Sequence, residues 1–387
     1  MSRVGIFTTH PIQYQAPLWR LLATDRRFTS KVFFFSDHGA TVRMDPAFGE
    51  AFAWDVPLLD GYDYEFLTRA PIERVTRCVI PYLSKFIARQ QLDAVLVHGY
   101  SSAHSRQLVR HARSLGYRCI MRGEFTTLPK SGGLGWTRWL KTLYLRQLYR
   151  DVDFFSSIGV DATAHLRRHG VPEARIVVAP YSVDDILIDA QRVRYKRAGC
   201  RAELGLSEEV PLVLFSGKLI PRKQPLMLAE AVARLPSCRR VAACFLGSGP
   251  QCAEVESLLR PLLGDHLIMP GFVNQSGLGR FFAAADIFAL PSAYDTWGLV
   301  VNEAMHWGLP CVVSDRTGCH ADLVVNGTTG FVHPWDDTGA LSTYIERLVV
   351  DPHLRLTMGR HAREHAERFR SVVAAARLAD TFSMALA

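Results

Sequence analysis

Two carboxylates, Asp295 and Glu303, stand eight positions apart in the stretch from Ala285 to Asp315. Paired carboxylates that act on one glycosidic bond sit about 5 Å apart in retaining glycosidases and about 6.5–9.5 Å apart in inverting ones. Eight helical steps of about 1.5 Å give roughly 12 Å, too wide for one bond and suited to the two ends of a long ligand. Between the acids, Gly298 opens a helical run through His306, and Gly308 and Pro310 stop it. The first amides of that run, near Leu299 and Val300, form the positive end of a helix and face an anion. A nucleoside-diphosphate sugar has this layout: sugar, pyrophosphate, ribose.

A second constellation supplies cations. The apolar strand Val210 to Phe215 leads into Ser216, Gly217, Lys218 and, four positions on, Arg222 and Lys223. Pro225 then opens a helix, Leu226 to Leu235, at the favoured first position. Gly217 lets backbone approach a ligand closely. Lys218 and Lys223, with Arg222 beside them, bring positive charge to the mouth of a strand–helix turn, which suits a pyrophosphate. Gly247-Ser248-Gly249-Pro250 follows the strand Val241 to Leu246, and Gly271-Phe272-Val273 follows the strand His266 to Met269.

The order of these pieces resembles the GT4-like retaining glycosyltransferases of GT-B fold (glycosyl transferases group 1). Asp295 and Glu303, as D-x7-E, resemble that family's E-x7-E signature. Gly217 to Lys223 resembles its G-R-L-x-x-x-K segment, with Lys218 in the usual Arg position, and Thr329 to Val332 resembles its closing T-G-F-L-V strand. The resemblance implies that Asp295 contacts the donor sugar and Glu303 the ribose. It places Thr296, Trp297, Gly298, Leu299 and Val300 around the donor, Gly247 in the second glycine turn, and Phe272 and Val273 against the nucleobase. The Glu-to-Asp change shortens the first arm by a methylene, and Lys218 lacks the bidentate fork of arginine.

The amino-terminal half offers polar groups at strand ends. Thr8 closes the first strand and is followed by His10, Gln13 and Tyr14, where relatives have a glycine-rich loop. His98 ends the strand Leu96-Val97-His98 and resembles the family histidine near the reacting sugar, so His98 joins Asp295 and Glu303 as a catalytic candidate. Arg122 and Glu124 follow the next strand. With His10, Gln13 and Tyr14 they form the acceptor-side set.

Strands alternate with helices throughout. Arg3 to Thr8, Lys31 to Phe35, Ala94 to Val97, Arg118 to Met121 and Phe154 to Ser157 read as strands, with Leu18 to Ala23 and His104 to Ser114 as helices. Alternation of this kind predicts an α/β fold with doubly wound parallel sheets. At 387 residues the chain exceeds the usual single domain. The expected division is an acceptor-side domain over 1–190, joined by a crossover helix at 371–387, and a donor domain over 191–370. The resemblance implies two Rossmann-like domains facing across a cleft, the GT-B arrangement. The basic stretch Asp185 to Ala202 is expected to be the linker.

Composition bounds the partners. Residues are 48% hydrophobic and 21% charged, with a net charge of +8, normal for a chain with large cores. Eight cysteines make no C-x-x-C pair and no zinc spacing, which fits buried thiols in a reducing cytoplasm. The opening Met1-Ser2-Arg3-Val4 runs straight into a strand, without the pattern of a signal peptide. From Lys130 to Arg150 there are five cations and no acid, interleaved with Trp136, Trp139, Leu140, Leu143, Tyr144, Leu148 and Tyr149. Such a segment fits either a core-packed helix with a solvated face or a helix on the inner face of an anionic membrane. No nucleic-acid module is present.

The expected reaction is metal-independent and retaining. It moves a sugar from a UDP-, GDP- or ADP-sugar to a hydroxyl of a glycan or lipid-linked glycan, the fixed cations neutralising the diphosphate. Asp151-Val152-Asp153 has the letters of a metal motif but lies between a helix and a strand of the first half. Two rival readings stand beside this one. A nucleotide-cofactor oxidoreductase would need a third glycine where Cys252 stands. A catalytically silent sugar-nucleotide or glycan-binding or regulatory protein fits the altered Asp295 and Lys218.

Overall fold

The computed structural model describes residues 1–45, 50–68, 80–126, 135–236 and 240–387. Cys78, Cys238 and Lys130, and the side chains of Trp136 and Arg138, lie outside the described residues. The chain forms two compact units. One comprises Met1–Arg43, Phe52–Val183 and Arg370–Ala387, the other Met44–Ala51 and Asp184–Phe369.

The first unit is built on a seven-stranded parallel sheet. Its strands in chain order are β1 (Ser2–Thr8), β2 (Phe28–Phe34), β3 (Tyr64–Phe66), β4 (Ala94–His98), β5 (Arg118–Arg122), β6 (Phe154–Ser157) and β7 (Ile176–Val178). The spatial order is β3-β2-β1-β4-β5-β6-β7. Order therefore reverses between β1 and β4, where Phe7 pairs with Val97. Open parallel sheets bind ligands beyond the carboxyl ends of the strands at such a reversal. Helices α1 (Ala16–Ala23), α2 (Ala103–Ser114) and α3 (Gly135–Arg150) belong to this unit. The strands are apolar on both faces, as a covered parallel sheet requires; Ala94 through Val97 are wholly buried.

The second unit holds a six-stranded parallel sheet. Its strands are β8 (Leu212–Ser216), β9 (Ala242–Leu246), β10 (Leu267–Gly271), β11 (Ile287–Leu290), β12 (Cys311–Ser314) and β13 (Gly330–His333). The order is β10-β9-β8-β11-β12-β13, so the reversal falls between β8 and β11. Among the described residues five thiols, Cys119, Cys200, Cys244, Cys311 and Cys319, are buried and free, and burial pushes each thiol pKa up.

The stretch read as an irregular linker is helical: α4 (Asp185–Arg194) and α5 (Arg197–Glu203). Asp184 caps α4 by accepting from the Leu187 amide at 3.0 Å. Charged side chains hide the pattern, because Arg201 takes a core position. It is 1% exposed and bonds Asp286 at 3.0 Å and the Ala284 carbonyl at 2.7 Å. The division between units falls between Val183 and Asp184, ahead of the expected 190. The terminal helix α8 (Ser371–Leu386) packs into the core of the first unit. Ala374, Leu378 and Phe382 are buried there, and the Phe382 ring meets Phe28 edge-on at 5.2 Å.

Candidate active site

The second unit gathers its conspicuous residues at the carboxyl edge of its sheet, around the β8–β11 reversal. Beyond β8 the chain turns through Gly217, whose φ is +151°, and its amide bonds the Leu246 carbonyl at 2.9 Å. Beyond β9, Gly247 (φ +129°) donates to the Gly271 carbonyl at 2.9 Å. A Cβ at Gly247 would collide with the Gly217 carbonyl oxygen. Three strand ends are thus knitted by glycines that let backbone meet backbone. The Leu219 amide adds a bond to the Ser248 carbonyl at 3.0 Å.

The loop after β8 reaches across the reversal to the loop after β11. The Arg222 carbonyl accepts from the Ala293 amide at 2.9 Å, and the exposed Arg222 guanidinium donates to the Tyr294 carbonyl at 3.2 Å. Lys223 Nζ forms an ion pair with Asp295 Oδ2. Both side chains are largely buried, at 15% and 10% exposure. The other carboxylate oxygen of Asp295 accepts from the Trp297 amide at 3.4 Å. The Asp295 backbone is clamped by the Arg316 carbonyl and the Gly318 amide, both at 3.0 Å. Lys218, Thr296 and Phe272 are half-buried along this edge, as is Val273.

Gly298, at φ +94°, precedes helix α7 (Leu299–His306). A positive φ there lets the chain leave the loop and present the amides of Leu299 and Val300 at the helix tip. Helix α6 (Pro225–Ala233) follows the loop beyond β8, and its Pro225 stands at the expected first position. Glu303 is 6% exposed and lines a small cavity with Leu187, Gln275 and Trp307. Trp297 is buried, and its indole donates to Asn302 Oδ1 at 3.4 Å. It braces the loop against α7.

In the first unit a polar cluster occupies the β1–β4 reversal. His98, at the end of β4, lies 3.3 Å from Gln15 Nε2 through Nδ1 and 3.4 Å from the Tyr181 hydroxyl through Nε2. Gln15 accepts in turn from Thr8 Oγ1 at 3.2 Å. Tyr181 donates to Glu124 Oε1 at 3.4 Å and lies under the Arg122 guanidinium, 5.2 Å from ring to Cζ. Arg122 is 1% exposed and donates to Ser156 Oγ at 2.9 Å, the Ala179 carbonyl at 2.7 Å and the Pro180 carbonyl at 3.2 Å. Burial pushes its pKa down to about 10. Burial and the nearby Arg122 charge push His98 down to about 3. Burial, His38 and His98 push His10 likewise to about 3. Both imidazoles are therefore neutral at ordinary pH and act through hydrogen bonds.

The structure brings His10, His98, Arg122 and Glu124 into one cluster. Gln13 and Tyr14 lie just before α1. Gln15 and Tyr181 belong to the cluster but were not singled out from sequence; Tyr181 is a polar ring just beyond the end of β7. Asp151 and Asp153 lie at the opposite, amino edge. Asp151 pairs with Arg113, and Asp153 accepts from the Cys119 amide at 2.7 Å.

Comparison with known proteins shows what the chain is similar to. Residues 13–182 match the family described as "Glycosyl transferase 4-like domain", and residues 197–365 match "Glycosyl transferases group 1". The chain is 32% identical over 237 residues to D-inositol 3-phosphate glycosyltransferase 2 of Catenulispora acidiphila, covering 58% of this chain and 54% of that protein. It is 31% identical over 200 residues to alpha-D-kanosaminyltransferase of Streptomyces kanamyceticus, covering 51% and 50%. The chain thus spans about half the length of the curated relatives it matches. Among solved structures, Anabaena Alr3699/HepE in complex with UDP superposes with a TM-score of 0.76 over 99% of this chain and 100% of that one, at 18% identity. Matched in both units, the chain belongs to the GT4-like glycosyl transferases of group 1, with the GT-B fold.

Proposed function

We propose that the protein is a retaining, metal-independent glycosyltransferase. It moves a sugar from a nucleoside-diphosphate sugar to a hydroxyl of a glycan or lipid-linked glycan. The observation that supports this most is the buried Lys223–Asp295 pair at the β8–β11 reversal, beside the tip of α7.

An ammonium has three donors, so Lys223 can hold Asp295 and still offer N–H groups to a diphosphate. Asp295, oriented by Lys223 and the Trp297 amide, then takes the sugar hydroxyls, and Glu303 the ribose. As the anomeric C–O bond to the diphosphate breaks, negative charge grows on the leaving oxygen. Lys218, Lys223 and the α7 amides stabilise it, and such preorganised donors are worth about 10²–10³ in rate each. The acceptor oxygen bonds to the anomeric carbon on the face the diphosphate leaves, and its proton passes to the departing phosphate oxygen. Neutral His98 is the catalytic candidate of the first unit and acts through hydrogen bonds. Fixed cations fill the role that a divalent ion fills elsewhere.

A thermal-shift panel of UDP, GDP and ADP, followed by hydrolysis assays with the matching nucleotide sugars, tests this. One nucleotide is expected to raise Tm, since a ligand at 100 times its Kd stabilises by about 2.7 kcal/mol. Slow donor hydrolysis should disappear in Glu303→Ala with the fold intact. Nucleotide binding with no hydrolysis or transfer under any acceptor would instead identify a silent sugar-nucleotide-binding protein.

A further inference from the structure

Helix α3 has two apolar faces. Leu145, Leu148 and Tyr149 are buried, and the Tyr149 ring meets Phe155 at 5.0 Å. Trp139, Leu140, Leu143 and Tyr144 remain 62%, 48%, 43% and 41% exposed. Spacings of three and four residues collect these four on one stripe. A lone exposed leucine is ordinary, whereas a contiguous group anchored by a tryptophan marks a contact surface.

The same stripe continues through Gln147 to Arg150, where it meets a concavity lined by Arg110, Arg113, Ser114, Gln147, Arg150 and Asp151. Three guanidiniums there face one carboxylate, and that carboxylate pairs with Arg113. Lys141 and Arg146 are exposed on the same helix, and the segment from Gly135 to Arg150 contains no acid.

We infer that this face of the first unit docks on an anionic phospholipid bilayer. Trp139, Leu140, Leu143 and Tyr144 enter the interface, and Arg110, Arg113 and Arg150 take headgroup phosphates. Amphipathic rings beside cations match the apolar and anionic layers of such a surface. A second copy of the chain is a poor occupant, because a self-complementary contact would bring these cations against their equals. Attachment is in the plane of the surface: among the described residues no helix is long and apolar enough to cross a membrane.

The placement of α3 adds a corollary. Asp151 and Asp153 fix its carboxyl end at the amino edge of the sheet. Its aromatic half therefore extends toward the carboxyl edge that carries His98 and Arg122. A lipid-borne acceptor would be presented at that edge; this corollary alone rests on the sugar-transfer proposal.

Flotation of the full chain with phosphatidylcholine vesicles, with and without a one-third share of phosphatidylglycerol, tests the surface. At low salt the protein is expected to float with the anionic vesicles only. Trp139→Ser combined with Leu143→Ser should lower partitioning at least tenfold. Arg110→Gln combined with Arg150→Gln should lower it roughly 25-fold, at about fivefold per cation. All four positions are exposed, so thermal melts should stay unchanged. Wild-type protein that ignores anionic vesicles at low salt overturns the inference. So does undiminished binding by both double variants, or self-association or oligonucleotide binding that the same substitutions abolish without any vesicle binding. Flotation is read without donor or turnover, so its failure leaves the sugar-transfer proposal untouched.

Discussion

Lys223 and Asp295 sit across the reversal of the second sheet with little access to water. Removing one member of such a pair strands the other charge. Lys223→Met is therefore expected to destabilise by about 3 kcal/mol, whereas Lys223→Met with Asp295→Asn should cost far less than the sum of the singles. Urea denaturation of the four proteins measures this, and additive losses would show that the pair is not coupled. The histidines make a pH prediction. His10 and His98 are held neutral down to about pH 3, while unfolded histidine takes a proton near 6.5. Below about pH 6.5 the unfolded chain binds more protons, so stability falls as pH drops toward the folded values. Tm should decline between pH 6.5 and 4, and the decline should be shallower in His98→Gln; equal slopes would place His98 in an unperturbed setting. Asp295, Glu303 and Lys223 were legible because their types and spacing sit next to glycine turns. Gln15 and Tyr181 were not, since their meaning depends on meeting His98 from positions 83 residues away in either direction.

At the scale of elements, the glycine turns decide whether strand ends can converge. Gly247→Ala would drive a Cβ into the Gly217 carbonyl at a φ of +129°. Backbone strain of this kind costs about 1–3 kcal/mol, and the displaced loop should weaken nucleotide binding as well. Chemical denaturation and nucleotide titration of the variant check both; unchanged values in each would mean that the turns move apart freely. Helix α8 gives a second test. Phe382 is fully buried in the first unit, so Phe382→Ala should cost about 3–5 kcal/mol, read by melting. Strands and most helices were legible from apolar runs ended by glycine or proline. Helices α4 and α5 were not, because Arg201 occupies a core position by satisfying its guanidinium on Asp286 and carbonyls. A sequence pattern scores such a residue as surface.

Over the whole molecule, two parallel sheets each reverse strand order once, and each reversal holds a polar cluster. The alternation of strand and helix predicted this architecture, and a chain that returns through α8 to its first unit fits the same design. A crystal structure of the chain with the nucleoside diphosphate that raises Tm most is the decisive measurement. The expected complex has the diphosphate within hydrogen-bonding distance of Lys223 Nζ and the amides of Leu299 and Val300, with Glu303 on the ribose. A nucleotide bound away from the β8–β11 reversal, touching none of these groups, would contradict the proposed chemistry.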